Sequence, residues 1–448
     1  MKCFTTSKAT IAIEVVSKSN LKKWLSAQPE NVLNQLTTVD FKATDHDSVN
    51  LFNEKGELSK VVVGVENIDI YSLAALPLKL PKGNYHIEDE AGLFGDTDVE
   101  IGWALGAYQF DKYKKMKRQP AKLKIRDNAD YIKTVTEGCY YTRDLINTSP
   151  EQMGPEELAA SAEALAEEFS ADCNVIVGEE LLEQNFPAIH AVGRASDREP
   201  RLIDLRWGTE GKKITLVGKG VCFDTGGLDI KPPAGMIMMS KDMGGAAHVL
   251  GLARMIMTAN IPVQLRVLVS AVENSISGNA YRPSDVINTR KGLTVEIGNT
   301  DAEGRVVLAD AITYALEEEP DVLIDMATLT GAARAAVGTE IAALFSNSPE
   351  LTELTMEYGD LLDDPIWPLP LYKGYRHLLD SPYADINNAS KEPYGGAITA
   401  ALFLKEFVGD DTPWMHFDIM AATTQAKPGR PIGAESMAIR ALFEMLLD

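Results

Sequence analysis

Seven residues, Asn299-Thr300-Asp301-Ala302-Glu303-Gly304-Arg305, combine two carboxylates two positions apart with a glycine and an arginine. Gly304 gives the backbone freedom to turn, and from Arg305 the apolar residues of Val306 to Leu316 recur at helical spacing, so the stretch reads as a loop feeding a helix. The free amides and positive dipole end of such a junction favour anions, whether its own carboxylates or an anion bound beside a cation. Taken alone, a capped helix start with solvated acids fits the same residues.

Two further clusters weigh against that plain reading. Gly218-Lys219-Gly220-Val221-Cys222-Phe223-Asp224-Thr225-Gly226-Gly227 follows an expected strand, Lys213 to Val217, and reads as a glycine-flanked loop of the kind on which α/β proteins build sites. It lacks the Gly-x-x-x-x-Gly-Lys-Ser/Thr pattern of a phosphate loop. Lys231 and Met239-Ser240-Lys241-Asp242-Met243-Gly244-Gly245-Ala246-Ala247 come next, where Asp242 precedes a helix whose first turn is small enough for neighbouring backbone to crowd it. Each alone has a bland reading, Asp242 as an N-cap and Lys231 as a surface lysine. Together, Asp224, Asp242, Asp301 and Glu303 supply enough oxygens for two divalent cations with bridging carboxylates. Such a pair turns a shared water into hydroxide near neutral pH, which makes hydrolysis the natural chemistry. On softness alone an oxygen-rich set without histidine suits Mg²⁺ or Mn²⁺ before Zn²⁺. His46, His86, His190, His248, His377 and His416 form no His-Glu-x-x-His pattern, there is no Gly-x-Ser-x-Gly elbow, and His248 reads as a packed helix residue.

Asn299 to Arg305 with Val306-Val307-Leu308-Ala309-Asp310-Ala311 closely resembles the signature of the leucine aminopeptidase (cytosol aminopeptidase) family. The resemblance extends to Val217–Gly227, Lys231, Lys241–Ala247, Ala327–Ala332, Arg143–Thr148 and Gly395–Ala401, and so covers about residues 105 to 448. It implies two zinc ions: a tight one held by Lys219, Asp224, Asp242 and Glu303, and a more exchangeable one, open to Mn²⁺ or Mg²⁺, held by Asp224, Asp301 and Glu303. A lysine ligand is physical, because a nearby dication favours the neutral amine. The resemblance further implies that a peptide's free amino group meets the tight metal and Asp242, that a bridging hydroxide attacks, and that Lys231 stabilises the oxyanion. Arg305 would hold a bicarbonate acting as general base, and Met239, Thr328 and Gly331 would line the pocket for an apolar first side chain such as Leu or Met. Relatives assemble as hexamers, so a homohexamer is expected. Two departures stand out: the amino-terminal part carries little motif-level similarity, and Met420 replaces a residue that is commonly small. A dipeptidase or cysteinylglycine-type hydrolase is the alternative enzyme reading, and a DNA-binding accessory role is the alternative of another class.

The elements that position these residues read as an α/β protein. A chain of 448 residues suggests two domains: a small N-terminal α/β domain over 1–120, a linker helix region over 121–150, and a larger α/β/α catalytic domain with a central mixed sheet over 151–448. Expected strands are Ile11–Val16 and Val61–Val65 in the first part, then Asn174–Val177, Leu202–Trp207, Lys213–Val217, Val263–Ser270, Val322–Met326 and Met415–Ile419. Expected helices include Asp98–Tyr113, Asp127–Asn147, Pro155–Phe169, Gly244–Met257 and Arg305–Glu318. With 43 basic against 65 acidic residues the net charge is −22, which argues against nucleic-acid or anionic-membrane partners; the basic run Lys112–Arg126 reads as a solvated linker. Four scattered cysteines without a Cys-x-x-Cys pair, and no apolar stretch of signal-peptide or membrane-span length, give the expectation of a cytoplasmic protein.

Overall fold

The computed structural model describes all residues except His46, Glu90, Ala91, Asp96 and Lys117, so His46 and part of the basic run lie outside the described residues. The chain divides into two compact units, Met1–Tyr140 with Gln425–Ile432, and Tyr141–Thr424 with Gly433–Asp448.

The smaller unit is built on a six-stranded sheet of β1 (Phe4–Thr5), β2 (Ile11–Ser17), β3 (Ser48–Phe52), β4 (Leu58–Val65), β5 (Asn84–Glu88) and β6 (Lys122–Lys124), in the order β1-β6-β5-β2-β4-β3. Only the β3–β4 pair is antiparallel; the others are parallel. Parallel strands covered on both faces need near-continuous apolar runs, and Val61-Val62-Val63 supplies one. Val61 and Val63 pack with Trp103 and Tyr85 on one face, while Val62 packs with Leu36 and Val49 on the other. The helix expected over Asp98–Tyr113 ends at Ala107. The basic run belongs to this unit's framework: it contributes β6, Arg118 donates to the carbonyls of Leu78 and Lys79, and Arg126 pairs with the buried Glu100 at 2.9 Å.

The larger unit contains, in chain order, β7 (Asp172–Val177), β8 (Arg201–Trp207), β9 (Lys212–Asp224), β10 (Val263–Asn274), β11 (Val286–Asn288), β12 (Thr294–Glu296), β13 (Val322–Ala327), β14 (Ala342–Ser346), β15 (Ile366–Pro368), β16 (Ile386–Asn387), β17 (Trp414–Asp418), β18 (Ala422–Thr423) and β19 (Gly433–Ala434). Eight of them form a mixed sheet in the order β15-β14-β17-β13-β9-β10-β8-β7. Its middle four, β17, β13, β9 and β10, are mutually parallel, with antiparallel neighbours on either side. The helices Pro155–Phe169 and Gly244–Ala259 pack on one face. Glu303–Leu316, Pro187–Gly193 and Gly396–Val408 pack on the other, around a core that includes Val306, Leu308, Ile312, Phe403 and Trp414. This is the expected α/β/α arrangement with a central mixed sheet. The edge strand β15 and its neighbour β14 escape sequence reading because they are short and carry no alternating pattern. Among the described residues no helix is long and apolar enough to cross a membrane.

One close approach fixes the sandwich beside the acidic clusters. Gly245 lies so near β13 that a Cβ there would collide with the carbonyl oxygen of Met326. Backbone cannot yield as a flexible side chain does, so Gly245→Ala should lower stability by about 1–3 kcal/mol, or more if the helix cannot shift. Urea unfolding followed by circular dichroism measures this, and an unchanged midpoint would refute the packing argument.

Candidate active site

The four parallel strands end on one edge of the sheet, where Asp224 closes β9, Asn274 closes β10, Asp418 closes β17 and Thr328 follows β13. Strand carboxyl ends in α/β sheets are where loops can gather side chains over a crevice. The sequence placed Gly218–Gly227 in a loop; instead β9 continues to Asp224. The reason is its partner: β10 pairs with β9 from Val263↔Lys212 to Asn274↔Asp224. Gly218 serves this packing, since a Cβ there would lie 2.6 Å from the Cα of Ala246 on the helix above. The chain turns only afterwards, at Gly226 and Gly227, both with positive φ, and the Gly226 amide donates to Asp224 Oδ1 at 2.8 Å.

The other two clusters also differ locally from the sequence reading. Asp242 is not an N-cap: it ends a short 3₁₀ turn, Met239–Lys241, and Met243 precedes the helix. The helix after Asp301 begins at Glu303, and the residue before it, Ala302, has no side chain that could cap it. Gly304 is therefore inside the helix rather than at a turn. Its missing side chain makes room for a lysine: a Cβ there would lie 2.6 Å from Lys219 Cε.

These elements bring Lys219, Asp224, Lys231, Asp242, Asp301 and Glu303 into one cluster. Lys219 Nζ lies 2.7 Å from Asp242 Oδ2 and 2.9 Å from Glu303 Oε1, and donates to the carbonyl of Thr328 at 3.0 Å. Lys231 Nζ lies 2.8 Å from Asp224 Oδ2 and also pairs with Asp301 Oδ1. Carboxylate oxygens of Asp224, Asp242 and Glu303 fall within 4.8 Å of one another, and all three residues are buried. Four carboxylates face two ammonium groups, leaving an excess of negative charge in a poorly solvated place.

The titration behaviour follows from that imbalance. Burial, reinforced by the charge of Asp224, pushes Glu303 up to about 8 and Asp301 up to about 6. Burial alone would lower Lys219, but Asp242, Glu303 and Asp224 outweigh it and hold the amine above its ordinary value; Lys231 is raised in the same way by Asp224 and Asp301. Asp242 is held below its usual range because Lys219 and Lys241 overcome the effect of burial. Burial lowers Lys241 itself to about 8. Glu303 Oε2 is buried without a hydrogen-bond partner. A polar atom so placed, beside converging carboxylates, fits a divalent cation.

Arg305 lies one turn into the helix, buried, with Nη1 donating to the Asn388 carbonyl at 2.9 Å and Nε without an acceptor. Burial lowers it to about 10, against the pull of Glu303 and Asp418. Among the expected pocket residues, Thr328 Oγ1 donates to Asp242 Oδ1 at 2.7 Å, and Met239 belongs to the same 3₁₀ turn that ends at Asp242. Gly331 is exposed and opens the helix Gly331–Val337, whose start is fixed by Asp418 accepting from the Leu329 and Thr330 amides. Met420 is buried. His248 is a satisfied core residue, with Nδ1 against the Gly244 carbonyl and Nε2 accepting from the Met437 amide.

Sequence reasoning missed the residues that hold the cluster in place. Asn274 Nδ2 donates both to Asp224 Oδ1 at 2.8 Å and to the Thr300 carbonyl at 3.0 Å, tying two of the acidic segments together. Tyr281 donates to the same carbonyl at 2.6 Å, and Asp229 accepts from the Thr300 amide at 2.8 Å. A lone asparagine ending the apolar run of β10 was the available signal.

The sequence model described as the cytosol aminopeptidase family, catalytic domain, matches residues 140–443. The chain belongs to the cytosol aminopeptidase family. It is accordingly an aminopeptidase, a peptidase of the hydrolase class. The M17 aminopeptidase N-terminal domain matches residues 11–126, so the family likeness reaches well upstream of residue 105, where the motifs alone had ended it. Probable cytosol aminopeptidase of Pseudomonas fluorescens (strain SBW25) is 40% identical over 361 residues, covering 77% of this chain and 72% of that protein. The corresponding protein of Persephonella marina is 39% identical over 409 residues, covering 88% and 81%. Among solved structures, cytosol aminopeptidase from Coxiella burnetii superposes with a TM-score of 0.96 at 45% identity, covering 100% of this chain and 99% of that one. The bottromycin maturation enzyme BotP in complex with Mn gives 0.88 at 30% identity, covering 98% and 99%.

If Asn274 orients Asp224 as the geometry indicates, Asn274→Ala should weaken divalent-cation binding by roughly 10- to 100-fold while the fold persists. Competition with a chromogenic chelator reads this directly, and wild-type affinity in the variant would remove Asn274 from the site.

Proposed function

We propose that this aminopeptidase is metal-dependent and removes an apolar first residue, such as leucine or methionine, from peptides with a free amino terminus. The observation that carries the reading is the convergence of buried Asp224, Asp242 and Glu303 oxygens within 4.8 Å, with Glu303 Oε2 left unpartnered. Lys219, Asp224, Asp242 and Glu303 would hold one cation, and Asp224, Asp301 and Glu303 a second. Zn²⁺ is the proposed ion, with Mn²⁺ or Mg²⁺ at the second position; the Mn complex of a structural neighbour is in keeping with this. When bound, the cations would lower the pKa of a shared water and polarise the scissile carbonyl.

The chain's own residues supply the rest. Asp242, anchored by Thr328, accepts from the substrate's amino group and so restricts cleavage to the first peptide bond. Lys231, paired here with Asp224 and Asp301, is the ammonium that would donate to the oxyanion once those carboxylates were engaged by cations. Arg305, with its unsatisfied Nε near a helix start, would hold bicarbonate, a group that supplies a general base there. Met239, Thr328 and Gly331 line the first side chain's pocket. The expected bounds of 1–120, 121–150 and 151–448 give way to the two compact units, Met1–Tyr140 with Gln425–Ile432 and Tyr141–Thr424 with Gly433–Asp448, and the assembly proposed is a cytoplasmic homohexamer.

Stripping divalent ions should abolish cleavage of a leucyl amide, and adding Zn²⁺ or Mn²⁺ should restore it; the N-acetylated substrate should stay uncut throughout. Equal turnover of the blocked substrate would contradict amine capture. Glu303→Ala should remove a ligand shared by both cations and reduce turnover by at least about 1,000-fold, the scale of losing a principal electrostatic group. Full metal content with normal turnover in that variant would refute the shared role.

A further inference from the structure

We propose that Arg334, assisted by Lys241, forms a cationic end to the first side chain's pocket, so that the enzyme also removes N-terminal acidic residues, glutamate foremost. This rests on the reading of Met239, Thr328 and Gly331 as pocket residues. Arg334 lies one turn along the helix that Gly331 opens, and its guanidinium folds back over that turn. Nη1 donates to the Thr330 carbonyl at 3.1 Å, and a Cβ on Gly331 would lie 3.6 Å from Nη2. Gly331 itself is exposed, so the guanidinium borders open space.

Arg334 shares with Arg194 and Arg305 the lack of a counter-ion, but it alone of the three stands beside Gly331. In the same unit Arg143 pairs with Glu435, Arg266 with Asp204, Arg290 with Glu317 and Arg376 with Glu406. Among the described residues no carboxylate pairs with Arg334, in a chain carrying 65 acidic residues against 43 basic ones. The second cation deepens the imbalance. Lys241 is only 4% exposed, ends the 3₁₀ turn that begins at Met239, and its amine has no hydrogen-bond or ion-pair partner among the described residues. The carboxylates around it are already engaged: Asp242 by Lys219 and Thr328, Asp418 by Leu329 and Thr330.

Two cations without a carboxylate partner, one of them buried, are destabilising unless an anion completes them. A side chain bound beside Met239 and Gly331 can bring that anion. Glutamate has methylenes to lie along Met239 and a carboxylate whose two oxygens suit a planar guanidinium. Glutamine has the same shape without the charge, and leucine fills the apolar part alone.

The test compares glutamyl, glutaminyl and leucyl fluorogenic amides, which carry no other carboxylate, on the metal-loaded full chain. The wild type should favour glutamyl over glutaminyl in kcat/KM by about 10-fold, the usual scale for hydrogen bonds to a charged group. Arg334→Gln should bring that ratio to about 1, mainly through KM, Arg334→Lys should recover part of it, and Arg334→Glu should favour a lysyl amide instead. Lys241→Met should lower the ratio less, and because the half-buried Arg334 is the easier residue to replace, the Arg334 series remains decisive if that variant misfolds. Equal glutamyl and glutaminyl turnover by the wild type, or a ratio unmoved in Arg334→Gln, would overturn the proposal. Leucyl cleavage without glutamyl cleavage would overturn it while leaving the proposed function standing. Glutamyl cleavage without leucyl cleavage would support it and refute the apolar preference.

Discussion

Four carboxylates drawn into one poorly solvated crevice are the constraint on which the catalytic unit depends. Ionised acids at this spacing repel one another, and removing one partner from a buried ion pair costs roughly 3–5 kcal/mol. Lys219 and Lys231 carry the opposing charge, each bridging two acids. Two ammonium groups cannot balance four carboxylates, and burial, reinforced by the residual repulsion, raises Glu303 and Asp301. Divalent cations answer that imbalance with more charge in less volume. On the proposed function the lysines would then be freed for other work, Lys219 as a neutral ligand and Lys231 as a donor to substrate.

The surrounding fold is what makes such crowding tolerable. Parallel strands β9, β10, β13 and β17 present Asp224, Asn274, Thr328 and Asp418 along one edge. Glycines let the layers close on that edge: Gly218 and Gly245 admit the helix Gly244–Ala259 against the sheet, and Gly304 admits the Lys219 stem beneath the helix Glu303–Leu316. Asn274 and Tyr281 then fasten the Thr300 segment to the strand ends, so each carboxylate is held from behind before anything binds in front. Arg334 and Lys241, without a carboxylate partner among the described residues, lie on segments next to the acidic ones: Lys241 precedes Asp242, and Arg334 folds back onto Thr330.

Much of this was legible in the residues, though unevenly. The helices Pro155–Phe169 and Gly244–Ala259 and the strands of the central sheet other than β14 and β15 follow from apolar periodicity, and the three acidic segments stand out by type and spacing. What periodicity does not carry is tertiary pairing. Val221-Cys222-Phe223 looks like the middle of a glycine-rich loop until β10 is placed beside it, and Gly304 looks like a turn residue until a lysine from another strand is found against it. Asn274 is invisible for the same reason: its importance lies in joining residues 50 and 26 positions away in sequence. The amino-terminal domain lacks short chemical motifs, and only comparison over its whole length ties it to the family.

The account stands or falls on whether the crevice holds two cations that share Asp224 and Glu303 but differ in their need for Asp301. Equilibrium dialysis against Zn²⁺ followed by elemental analysis measures this most directly. Two ions per chain should be retained by the wild type and one by Asp301→Ala. A wild type that retains one ion or fewer, or an Asp301→Ala chain that still retains two, would contradict the account.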